Sequence, residues 1–193
     1  GLLALPVIVV CISGAIIFTN WLGKRLQISS RMSILIAVGT SICGATAIVA
    51  TGPAIDAKDE ELAYAVANIT VFGIIAMLLY PYIANTLFGS DMTGSGLFLG
   101  TSIHETAQVA GGSLIYSQMF DAPEALDIAT VTKLMRNVFI AIIVPMMAYI
   151  YQQKSDKTQQ VRSFFSLFPL FIIGFIVMAA IRTIGDITLE NGQ

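Results

Sequence analysis

The chain has 193 residues, of which 56% are hydrophobic and only 11% charged. Soluble domains carry about 25% charged residues, so this composition excludes an ordinary soluble domain and indicates an all-α membrane protein. Ten basic and twelve acidic residues leave a net charge of −2, which excludes nucleic acid as a partner.

The first apolar segment covers about residues 2–22 and ends in Trp21, Lys24 and Arg25. The chain opens at Gly1 already inside this run, with no signal-peptide pattern. It is therefore expected to be a piece of a longer protein, with one partial transmembrane domain over 1–193.

Segment two covers about residues 31–55 and is the most informative stretch. Nothing charged occurs between Arg31 and Asp56. Its middle nevertheless reads Gly39-Thr40-Ser41-Ile42-Cys43-Gly44-Ala45-Thr46-Ala47. Glycines and hydroxyls at mid-membrane depth are costly in a plain anchor helix. Irregular backbone survives there only when buried in protein or lining a wet cavity, and transporters use such broken helices as binding sites. The stretch near Gly39 to Gly44 is therefore predicted to be non-helical or kinked between two short helices.

Segments three to six cover about residues 62–87, 94–119, 125–151 and 164–184. The connections are short, and no linker separates a second domain. Lys24, Arg25 and Arg31 mark one basic loop, and Lys154, Lys157 and Arg162 another. Asp56 to Glu61 and Asp121 to Asp127 are acidic. Six full spans would put the basic loops inside and the acidic ones outside. Segments two and four could instead be re-entrant hairpins, which leaves the basic loops inside as well. About 25 residues at ~1.5 Å each favours full crossings.

Segment four contains Gly100-Thr101-Ser102-Ile103-His104-Glu105-Thr106-Ala107-Gln108. On a continuous helix Thr101, His104 and Gln108 share a face, with Glu105 beside them. A carboxylate at membrane depth is rare and usually functional. A His–Glu pair there could couple protons to transport. The competing reading is that the two merely pair with each other or with a neighbouring helix.

Segment five carries Lys133 and Arg136, with Asn137 on the same face as Lys133. These cations either attract an anion, offset the negative end of a broken helix, or snorkel to the interface. Lys133 is the nearer of the two to the outer surface and the readier to snorkel.

Three enzyme-like patterns fail. Gly39 to Thr46 lacks the lysine of a P-loop. His104 to Gln108 lacks the second histidine of a zincin site, and no other histidine exists. Gly94-Ser95-Gly96 lacks the strand of a dinucleotide fingerprint. Neither an enzyme, a metal nor a cofactor is expected, and Cys11 and Cys43 form no disulfide framework.

The Gly39 to Ala45 motif, Pro53, the Ile103 to Val109 stretch, Lys133 and Arg136 occur in an order that resembles the YeiH-like bacterial inner-membrane family. That family is commonly labelled sulfate exporters. It is grouped with the cation/proton antiporter and anion transporter superfamily, built from inverted repeats with crossing broken helices. The resemblance implies a multi-pass inner-membrane protein with further helices at both ends. It implies that segment two is one broken helix whose symmetry mate lies beyond Gln193.

The expectation is thus part of an inverted-repeat secondary transporter moving a small anion such as sulfate. Its binding residues would be Gly39, Thr40, Ser41, Cys43, Gly44, His104, Glu105, Gln108, Lys133 and Arg136. Its partners would be the anionic solute and the bilayer, with a homo-oligomer compatible. The competing classes are a passive anion channel and a non-transporting membrane subunit or sensor.

Overall fold

A computed structural model describes residues 4–154, together with Gly174 and Met178. Segment six, residues 164–184, lies outside the described residues apart from those two positions. The described residues are helical, with α1 at Ala4–Arg25, α2 at Ser30–Ser41, α3 at Ala45–Thr51 and α4 at Asp59–Phe88. Then come α5 at Met92–Ser102, α6 at Thr106–Phe120, α7 at Pro123–Val138 and α8 at Ile140–Lys154. A 3₁₀ turn, Gly52–Ile55, extends α3.

Two helices, α1 and α4, are each long and apolar enough to cross a membrane. The pair α7 and α8, bent by 41° at Phe139, is long and apolar enough to cross only when taken together. The chain is therefore an all-α membrane protein with broken helices.

Segments two and four break mid-way and turn back. In segment four, Ser95 Oγ and Tyr116 OH lie 2.8 Å apart, and Tyr116 OH donates to Gly89 O at 3.2 Å. A straight helix would separate residues 95 and 116 by roughly 30 Å. The arms α5 and α6 thus form a hairpin whose tip is Ile103-His104-Glu105. In segment two, Arg31 Nε donates to Tyr151 OH at 3.0 Å, and Gln152 Nε2 donates to Ala54 O at 3.0 Å. The start of α2 and the end of the 3₁₀ turn therefore sit on one rim, beside the end of α8. The arms α2 and α3 form a second hairpin, with its tip at Ile42-Cys43-Gly44.

This corrects the expectation of full crossings. Length cannot separate one broken span from two arms, and here each segment is a hairpin whose two arms both pack on α4. It also moves the Asp56–Glu61 loop. Ser29 Oγ donates to Glu61 Oε1 at 3.4 Å, so this acidic loop shares a rim with Lys24, Arg25 and Arg31. The opposite rim holds Asp91, Asp121, Glu124 and Asp127 and no lysine or arginine among the described residues. The lysine and arginine bias of the first rim is what the positive-inside rule expects of a cytoplasmic side.

The long helix α4 runs from one rim to the other and serves both hairpins. Ile69 packs where Gly39 and Gly44 leave room, and Met77 packs against Gly111 and Gly112. One buried apolar cluster joins α1, hairpin α2–α3, the first half of α4 and α8. The other joins hairpin α5–α6, the second half of α4 and α7.

Candidate functional site

The hairpins enter from opposite rims, and their tips meet against α7. A Cβ built on Gly44 would stand 3.6 Å from His104 O and 3.7 Å from Glu105 Cα. Gly44 has φ +68° and ψ −123°, a conformation that side chains other than glycine's adopt at a cost. The small residue thus allows both the turn and the contact between tips.

Each outward arm ends with carbonyls that have no partner in its own helix. In the first hairpin these include Thr40, Ser41 and Ile42. In the second they include Thr101, Ile103 and His104. Their partial negative charge faces the same point. Two cations of α7 occupy it. Lys133 is 0% exposed and Arg136 is 2% exposed. Lys133 Nζ donates to Ile42 O at 2.8 Å, to Ile103 O at 3.3 Å and to His104 O. Arg136 Nε donates to Ser41 O at 2.8 Å, its Nη1 to Thr101 O at 2.5 Å and its Nη2 to Thr40 O at 2.6 Å.

Each cation therefore binds both hairpins. Taking a charge out of water is costly unless charge-assisted hydrogen bonds replace the hydration. Six carbonyls supply those bonds here, and the cations satisfy backbone groups that hydrocarbon would leave bare. Of the readings open from sequence, the structure places the cations at the negative ends of broken helices. Lys133 does not snorkel, because α5 and the two tips enclose it. All three ammonium donors are used, whereas a guanidinium has five N–H groups and two of Arg136's remain.

The other expected residues divide. Gly39 is still helical and is a packing position, with room for Ile48 and Ile69. Thr40 and Ser41 act through their carbonyls, and Ser41 Oγ turns back to Val38 O at 3.3 Å. Cys43 is buried at the first tip as a free thiol. His104 and Glu105 form the second tip and are half-buried. His104 Nδ1 is buried without a hydrogen-bond partner. Glu105 precedes α6 without a side-chain capping bond, and it interacts electrostatically with Lys133. Gln108 faces away from the cations, and its Nε2 donates to Thr70 O of α4 at 3.2 Å.

The helical face expected over Thr101, His104 and Gln108 does not exist. The break at 103–105 puts Thr101 on α5 and Gln108 on α6. Asn137, beside Arg136, donates from Nδ2 to Thr106 Oγ1 at 3.2 Å and so reaches the start of the return arm.

One signal would have revealed the second break. Gly39-Thr40-Ser41-Ile42 recurs as Gly100-Thr101-Ser102-Ile103, and Thr46-Ala47 recurs as Thr106-Ala107. Each tetrapeptide ends an outward arm and leads into a tip. Each hairpin is followed by a spanning element, α4 or α7–α8, of opposite direction. The inverted counterpart that the resemblance sets beyond Gln193 is thus found within the chain.

The fold and site define an α-helical membrane protein with two opposed re-entrant hairpins pinned by buried cations. The chain matches the family described as conserved hypothetical protein 698 over residues 1–191, and it belongs to that family. It is 35% identical to a UPF0324 membrane protein of Fusobacterium nucleatum, over 100% of this chain and 55% of the relative. It is 35% identical to one of Streptococcus agalactiae, over 95% of this chain and 54% of the relative. A Streptococcus pneumoniae relative is 34% identical over 92% of this chain and 52% of its own length. The chain thus spans about half the length of the curated relatives it matches. No solved structure matches it.

Proposed function

We propose that the chain forms part of a secondary transporter of the bacterial inner membrane that binds a small anion where the hairpin tips meet. The observation that carries this reading is the pair of buried cations, Lys133 and Arg136, between hairpins open toward opposite rims. Two positive charges against one nearby carboxylate, Glu105, give the junction a positive field. The two free N–H groups of Arg136 suit a two-point contact with an oxyanion. Opposed hairpins give such a site two routes of access, one from each side. Sulfate, moved outward, is the first substrate to test. Glu105 and His104 are the groups positioned to couple its movement to protons.

The test uses liposomes containing the full-length parent protein, screened against inorganic and organic anions with and without a pH gradient. Saturable flux of a small oxyanion, with weaker affinity in Arg136→Gln, is expected. Absence of anion flux and of anion binding would reject the reading. Flux in wild type that remains pH-independent, and unchanged in Glu105→Gln, would remove proton coupling alone.

A further inference from the structure

A groove of about 720 Å³ lies between the end of α1, the start of α2 and the end of α8, far from the hairpin tips. Ile17, Ile34, Met147 and Ile150 form its apolar walls. Asn20, Lys24 and Ser30 lie at its cytoplasmic end. No carboxylate lines it among the described residues. Ile17 is 69% exposed and Trp21 54% exposed, so among the described residues the groove is open along the outer face of α1. Arg25 stacks over Trp21 at 5.9 Å, which adds a second cation at the same depth.

We propose that this groove binds an anionic phospholipid of the cytoplasmic leaflet. The acyl chains lie on the isoleucine and methionine walls, and the phosphate meets Lys24 and the Ser30 hydroxyl. The volume falls within the range of roughly 300–1,000 Å³ in which proteins hold small ligands. A basic pocket between helices at the cytoplasmic surface is the arrangement that recognises acidic headgroups. Tryptophan beside it fits the interfacial level at which headgroups lie. Lys24 is exposed at the groove's end, within reach of a headgroup phosphate, and this charge complementarity selects an anionic lipid over an apolar helix as the occupant. The bound lipid would touch Tyr151, whose hydroxyl accepts the hydrogen bond from Arg31, and so contact the rim of the first hairpin.

The test is native mass spectrometry of the full-length parent in detergent, titrated with phosphatidylglycerol, phosphatidylcholine or inorganic phosphate. Retention of phosphatidylglycerol over phosphatidylcholine is expected, with inorganic phosphate failing to compete. Lys24→Gln should weaken phosphatidylglycerol binding roughly fivefold, the value of one lysine near an anionic surface. Ile17→Trp, which fills the groove from its exposed side, should reduce retention of both lipids without lowering the melting temperature. Equal retention of the two lipids, or binding indifferent to both substitutions, overturns the proposal. No retention in wild type, as expected if another helix of the parent or a second copy covers the groove, overturns it too.

Discussion

At the residue scale, the junction is set by what is missing as much as by what is present. Gly44 carries no Cβ where the chain turns at φ +68° and where Ile69 stands 3.1 Å from a Cβ position. Gly44→Ala should destabilise the protein by about 1–3 kcal/mol, the cost of holding a side chain in such backbone. Thermal unfolding in detergent would check it, and an unchanged melting temperature would show that the tip relaxes freely. Gly73 on α4 is a different case. Its backbone is helical, but a Cβ there would overlap the Gln108 carboxamide. Gly73→Ala should therefore displace Gln108 and break its bond to Thr70 O. The double variant Gly73→Ala with Gln108→Ser should recover part of the loss, a coupling that a double-mutant cycle measures. Additive losses would mean that Gly73 matters for some other contact. The role of Gly73 is not visible in sequence, because Gln108, the neighbour that forbids the Cβ, is distant in the chain.

At the element scale, the hairpins make a prediction about sidedness. Gln27 and Lys58 should both react with a membrane-impermeant thiol reagent from the cytoplasmic side once replaced by cysteine. Ser90→Cys should react only from the other side. The background is Cys11→Ser with Cys43→Ala. Labelling of Lys58→Cys together with Ser90→Cys would restore segment two as a full crossing. The break in segment two was legible because Gly39 to Gly44 interrupts an otherwise apolar run. The turn back was not legible, because its determinants are contacts such as Arg31 with Tyr151 and Ser95 with Tyr116. Segment four misled for a related reason. His104 and Glu105 are compatible with a helix by local preference, and the carbonyls that release them are satisfied only by α7. Lys133 and Arg136 stood out as intramembrane charges, but which backbone they serve depends on packing.

At the scale of the whole molecule, one pair of cations holds two hairpins that open to opposite sides. Moving either tip away from α7 breaks bonds to side chains that also hold the other tip. Arg136 donates to Thr40 and Ser41 in the first hairpin and to Thr101 in the second. Arg136→Lys keeps the charge but replaces a planar fork by a compact ammonium on a shorter reach. It cannot keep all three carbonyls in place. Native Cys43, buried at the first tip, is a reporter for one hairpin, and Ser102→Cys, half-buried beside the second tip, reports on the other. In a Cys11→Ser background, Arg136→Lys should speed thiol labelling at both positions, Cys43 from the cytoplasmic side and Ser102→Cys from the opposite side. An increase at one position only would mean that the hairpins are held independently. The shared cations would then be two separate caps that happen to sit on one helix.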